Sequence, residues 1–194
     1  MYSPDAESRD ADVTARVDRV LLDLRALGAE IANLDFGYPV EEATFESGAA
    51  PSRIESVAAV VGEPLPVDYR YFLSQCAGFT GMDFHNGYAV HTPEEVVRLF
   101  REAGAPRQVL TDRGAVPVLP VASDGGGNVF LLKLRMPHVV LRWDHEIGET
   151  GAALPPGHPG FREVADGFVV LLERIRADWS HFLGPDPEAW TYIT

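Results

Sequence analysis

The sequence predicts an α+β fold: a single domain with a mainly antiparallel mixed sheet packed with helices, plus an N-terminal helical extension. Three observations predict it. The periodic segments run helices, hairpin, helix, meander, helix, which is not the strand–helix alternation of a parallel sheet. Asn86-Gly87, the strongest two-residue turn signal, sits inside a run of strand-forming residues. The 194 residues, 46% hydrophobic and 23% charged, suffice for one buried core without disulfide staples. The boundaries read as 1–50 for a helix and linker, 51–183 for the α+β domain and 184–194 for an irregular tail.

Residues 1–10 read as a disordered lead-in. From Val13, the positions Val17, Val20, Leu21, Leu24, Leu27, Ile31 and Leu34 keep the 3.6-residue period of an amphipathic helix. Residues 35–50, with Gly37, Pro39 and Gly48, read as a loop. Ser52 and Glu55 have capping-box spacing ahead of a short helix through Ile54, Val57 and Val61, stopped by Gly62. Pro66 is placed as the first residue of the next helix, whose stripe is Tyr69, Phe72, Leu73 and Cys76 and whose end is Gly78.

Residues 82–91 read as a hairpin about Asn86-Gly87, with Met82 opposite His91 and His85 opposite Tyr88. Thr92-Pro93-Glu94-Glu95 starts a helix with a cap, a proline and two acids at the positive end of the dipole. Segments 116–123 and 128–135 read as strands joined across Asp124-Gly125-Gly126-Gly127. Pro117 and Pro120 remove ladder donors, which predicts an edge position for the first of them. Segment 138–144 is a further strand, with Val139, Leu141 and Trp143 on a core face and His138, Val140, Arg142 and Asp144 on a mostly wet one. A loop at 145–160 leads to a last helix over 161–183, with Val164, Phe168, Leu171, Leu172, Ile175 and Trp179 inward.

Charge narrows the function. Acids number 29 and bases 16, a net charge of −13, and the first 50 residues hold 11 acids against 4 bases. Such a field repels nucleic acid, whose phosphates need clustered Lys and Arg. It speeds encounter with a basic protein. No apolar run reaches the roughly 18 residues needed to cross a bilayer. The acidic start lacks the basic and apolar regions of a signal peptide. A cytoplasmic protein with no nucleic-acid or membrane partner is expected.

Catalytic patterns are sparse. Asp124-Gly125-Gly126-Gly127-Asn128 lacks the Gly-Lys-Ser/Thr of a phosphate loop and precedes a strand, so it reads as a tight turn able to carry a partner contact. The six histidines show no metal-ligand spacing, and no metal or cofactor is expected. Asp83 and His85 share a hairpin face and would suit an acid–base pair or a surface hydrogen bond, the latter being preferred. His85 and His91 fall on opposite faces. Asp144 and His145 are strand neighbours pointing opposite ways, so Asp144 does not orient His145. No Gly-x-Ser-x-Gly elbow occurs. Cys76, on an apolar stripe, reads as a buried inert thiol. Trp143, Trp179 and Phe72 read as core, and Trp190 as an exposed anchor in the tail.

Leu65-Pro66-x-Asp68-Tyr69-x-x-Phe72-Leu73 followed by Gly78 resembles the leading motif of the SUKH superfamily, specifically its Smi/Knr-type domain. The glycine turn from Pro120 through Asn128 and the strand with Trp143 before a closing helix around Phe168 extend the resemblance over about 51–183. The family usually has Asp where Asn128 stands, and the first 50 residues have no counterpart in it. The resemblance implies a mixed α+β domain that binds proteins without catalysis. Many members are immunity proteins that neutralise toxin domains, and a fungal relative is a regulatory hub in cell-wall signalling.

The leading expectation is therefore an immunity protein binding a basic toxin domain. Its contact groups are expected around the hairpin and the glycine turn: Asp83, His85, Asp124, Asn128 and Asp144. The alternatives are a regulatory interaction module docking through the N-terminal helix, and an enzyme using Asp83, His85 or His145.

Overall fold

The computed structural model describes residues 4–35, 42–81, 87–102, 105–112, 114–147, 157–184 and 193. Among them are five helices: α1 (Pro4–Ala32), α2 (Pro51–Val61), α3 (Val67–Gln75), α4 (Pro93–Arg101) and α5 (Phe168–Phe182). The strands are β1 (Thr44–Phe45), β2 (Phe79–Thr80), β3 (Ala89–Val90), β4 (Gln108–Thr111), β5 (Gly114–Ser123), β6 (Val129–Lys133), β7 (Val140–Trp143) and β8 (Phe161–Ala165). The predicted α+β class is the class observed. Every pairing is antiparallel, in the order β1-β2-β3-β5-β6-β7-β8 with β4 also on β5.

The sheet is apolar on both faces. Phe130 and Leu132 of β6 face the main core, while Val129 and Leu131 of the same strand face a second cluster. In the main core, α1, α3 and α5 bring Val17, Leu24, Ile31, Tyr69, Phe72, Phe168, Leu172 and Ile175 onto Val121 and Val164. Each fully buried side chain of this size contributes about 1.5–3 kcal/mol. Helix α1 packs on α3 and α5 along the predicted stripe. Arg16 holds Glu173 through two bonds of 2.8 and 3.0 Å, and Arg176 holds Asp23 at 3.1 Å. The second cluster gathers Ala105, Val109, Val118, Leu131 and Trp143.

Several expectations are corrected. Helix α1 already starts at Pro4 rather than near residue 13, since proline is tolerated in a first turn. The 35–50 loop contains β1, which pairs with β2. Ser52 does not cap α2, because Pro51 already occupies its first turn and Ala50 is the cap residue. Pro66 is the cap residue of α3 rather than its first turn, and α3 ends at Gln75 with Cys76 as its C-cap, two residues before Gly78. Gly78 is needed for another reason: a Cβ there would lie 2.7 Å from the Val90 carbonyl oxygen.

The hairpin register differs from the predicted one. Phe79 pairs with Val90 and Thr80 with Ala89, where the predicted register would set Val90 opposite Asp83; the predicted turn at Asn86 lies outside the described residues. Phe79 decides this, because it is buried against Phe45, Phe72 and Trp179 with Val90 on the same core. Strand β5 is internal and not an edge: β3, β4 and β6 all pair with it. Its register shifts between Pro120 and Ala122, and a bulge accommodates a missing donor. Strand β4 had no sequence signal. Residues 161–165 are strand β8 rather than the start of the last helix, and Gly167 separates the two. Val140 is fully buried, so the second face of β7 is not wet.

The Thr92 cap is as read. Its hydroxyl accepts the Glu95 N–H at 3.3 Å and the Glu95 carboxylate accepts the Thr92 N–H at 2.8 Å. Phe72, Trp143 and Trp179 are core residues, and Cys76 is buried. Asp83, His85 and Trp190 lie outside the described residues.

Candidate functional site

The β6–β7 register places Val129 opposite Trp143, which brings the glycine turn beside the end of β7. Asp124, Asn128, Asp144 and His145 are thereby gathered at one end of the sheet. The turn is closed by the Gly127 N–H on the Asp124 carbonyl at 3.2 Å. Gly127 has φ +89°, and a Cβ there would lie 2.8 Å from the His145 ring. The left-handed backbone conformation favours glycine at this position, and the exposed His145 imidazole packs over it.

Asp124 is directed into its own turn. One carboxylate oxygen accepts the N–H groups of Gly126 and Asn128 at 3.0 and 2.9 Å. The other accepts the Asn128 side-chain amide at 2.8 Å and lies 3.7 Å from the Arg142 Nε. Its side chain is only 8% exposed, and Asn128 is buried as well. The sequence reading offered both as exposed contact groups. Burial overturns that exposure, because their polar atoms satisfy the turn. Asp144 is half-buried, and its carboxylate accepts the Glu146 N–H at 3.0 Å.

What this end of the sheet presents outward is Gly125, Gly126, His145, Glu146 and Ile147, the last 53% exposed. Arg162 of β8 pairs directly with Arg142 of β7, and like charges in that relation repel. Asp124 lies on the Arg142 side of that pair. Glu146, Ile147 and the two arginines were missed by sequence reasoning. Their positions follow from strand pairing, and only the exposed apolar Ile147 after a strand end was a usable signal.

The other ionisable candidates are committed internally. The His91 Nδ1–H donates to the Pro120 carbonyl at 3.0 Å, so its Nε2 accepts the Ser123 hydroxyl at 3.0 Å. Burial holds the His91 imidazolium below its ordinary range. The Cys76 thiol donates to the Gly78 carbonyl at 3.2 Å, and burial pushes its pKa up. Among the described residues, no three His, Cys, Asp or Glu side chains are grouped to hold a metal ion. No helix among them is long and apolar enough to cross a membrane.

A cavity of about 720 Å³ opens between α1, α2 and α3. Thr14, Pro51, Ile54, Glu55, Val67, Arg70 and Tyr71 line it. The Tyr71 hydroxyl is held by the Asp18 carboxylate at 3.0 Å. Residues from the leading motif form this part of the fold: Leu65 packs on the main core, and Pro66, Tyr69 and Phe72 are buried.

Two comparisons bear on this arrangement. A family model described as SMI1 / KNR4 family (SUKH-1) matches residues 48–174. No curated protein matches the chain.

Proposed function

Because the chain belongs to the SMI1/KNR4 family (SUKH-1), we propose that it is a non-catalytic protein-binding domain that neutralises a toxin domain, as an immunity protein does. The observation that carries this reading is the acidic excess, a net charge of −13 with a single lysine among the bases. A toxin acting on nucleic acid or nucleotides presents a basic surface, and an acidic inhibitor is steered to it and can cover it. The non-catalytic part is supported by the use of His91, Cys76 and Asp124 in internal hydrogen bonds. The contact surface is proposed at the end of the sheet, on His145, Glu146 and Ile147 beside the glycine turn.

The test is affinity capture with the full-length chain from native lysate at moderate salt, read by mass spectrometry. The expected result is one stoichiometric partner whose toxic activity the chain inhibits at a one-to-one ratio. Association should slow as ionic strength rises. Capture of several signalling or envelope proteins, without inhibition of any toxin, overturns it in favour of a regulatory module. One observation favours that second reading: α1 lies outside the matched residues 48–174 and exposes Leu22 at 69%.

A further inference from the structure

The cavity between α1, α2 and α3, about 720 Å³, falls in the size range of ligand sites. Its α2 and α3 walls lie within the matched residues 48–174, and its α1 wall lies before them. Thr14 of α1 lines it, and Asp18 on the next turn of that helix holds Tyr71 of α3. Its apolar side is Ala49 and Ile54, both buried, with Val67 38% exposed. The wall hydroxyls are committed: Thr14 donates to the Ala11 carbonyl at 3.0 Å and Ser74 to the Tyr71 carbonyl at 2.7 Å. Two charges are not. Glu55 of α2 and Arg70 of α3 are exposed, and among the described residues neither side chain has a hydrogen bond or an ion pair, with each other or with any other group. The acids on or against α3 are engaged elsewhere, Asp68 with the Val169 N–H and Asp18 with Tyr71.

We propose that this cavity is a peptide-binding groove for a partner protein. The segment it takes carries an acidic side chain for Arg70, a basic side chain for Glu55 and a large apolar side chain for Ile54 and Val67. Charge complementarity argues for that occupant: an unpaired cation and an unpaired anion on two walls of one groove are both matched only by a ligand of both signs. The Arg70 guanidinium keeps its donors free for a carboxylate, which it meets bidentately. The apolar side supplies the burial that exposed ion pairs alone lack. Seating an amphipathic segment in a groove between helices is a recurring mode of peptide recognition. The inference does not rest on the toxin-partner reading, whose contact surface is at the end of the sheet on His145, Glu146 and Ile147.

The test pans a phage-displayed library of random peptides on the full-length chain and measures the enriched peptides, synthesised with a dye, by fluorescence anisotropy. The expected consensus holds an acid, a base and a large apolar residue. Arg70→Glu should weaken such a peptide roughly tenfold, and exchanging the peptide's acid for Lys should restore binding to that variant. Glu55→Arg, with the peptide's base exchanged for Glu, is the same test on the other wall. Both substitutions replace exposed, unpaired side chains, so both variants should keep the wild-type urea midpoint. In two-dimensional amide spectra, the bound peptide should shift residues of α2 and α3 and spare β6. No enrichment, a consensus without an acid, equal affinity of wild type and Arg70→Glu, failure of the charge exchange to restore binding, or shifts confined to the end of the sheet overturns the proposal.

Discussion

Asp68 caps a helix far along the chain: its Oδ2 accepts the N–H of Val169, 101 residues on and in the first turn of α5, at 3.1 Å. Helix α5 needs this donor–acceptor pair because its own cap residue, Gly167, has no side chain. A Cβ at Gly167 would lie 3.4 Å from the same oxygen. Asp68→Ala is expected to destabilise the chain by about 1–2 kcal/mol, a loss of roughly 2–8 °C in Tm. Asp68→Asn, which can still accept the bond, should recover most of it. Thermal unfolding by circular dichroism reads both, and equal Tm values for wild type and Asp68→Ala would refute the cap.

The neighbouring Tyr69 makes the opposite case. Its ring is fully buried, with a centroid 4.8 Å from that of Phe168, yet among the described residues its hydroxyl has no hydrogen-bond partner. Burial pushes the phenol's pKa well up. Removing an unsatisfied buried hydroxyl while keeping the ring relieves a desolvation cost. Tyr69→Phe is therefore expected to be neutral or stabilising by up to about 1 kcal/mol in urea denaturation. A loss above about 1 kcal/mol would mean the hydroxyl is satisfied in solution.

His91 and Asp178 make stability depend on pH in opposite senses. Burial lowers the folded His91 pKa below 6.5, so the unfolded chain takes up a proton that the folded chain does not. Stability is lost as pH falls through about 6.5, by at most ~1.4 kcal/mol per pH unit for one proton. Burial raises the folded Asp178 pKa above 3.8, so its contribution rises as pH falls through the folded value toward 3.8. Urea midpoints at pH 7.5, 5.5 and 4.0 span both windows. His91→Gln should flatten the loss near pH 6.5, and Asp178→Asn should remove the gain toward pH 3.8. A His91→Gln chain with the wild-type pH slope would show that the buried imidazole is not responsible.

The helices were legible in the sequence because their signals are local. The stripe from Val17 to Ile31 and the Thr92–Glu95 box each lie within a few turns of one segment. Strands β1, β4 and β8 were not, because two to five residues carry too little periodicity and their pairing is set by distant partners. The hairpin register was misread for the same reason. Asn86-Gly87 is a local signal, and burial of Phe79 against Trp179 outweighs it. At the site, the position of the glycine turn was legible and the direction of Asp124 was not. That direction is set by the N–H groups of Gly126 and Asn128 and by the Asn128 amide, which converge on the carboxylate only once the turn is folded.

This distinction separates two kinds of carboxylate at the same end of the sheet. Asp124 accepts three hydrogen bonds and lies beside Arg142, which directly opposes Arg162. Asp124→Ala leaves the turn's N–H groups unpaired and removes the carboxylate 3.7 Å from Arg142, and is expected to cost about 2 kcal/mol. Glu146 and Ile147 are exposed, so Glu146→Gln and Ile147→Ala should leave the urea midpoint within about 0.5 kcal/mol of wild type. If this end of the sheet is the contact surface, Glu146→Gln slows association with a basic partner and reduces its salt dependence. Ile147→Ala should instead act on the dissociation rate. Both rates are read by surface plasmon resonance against the captured partner at two ionic strengths. Wild-type kinetics in both variants would move the contact surface elsewhere, with the α1–α2–α3 cavity the next region to mutate.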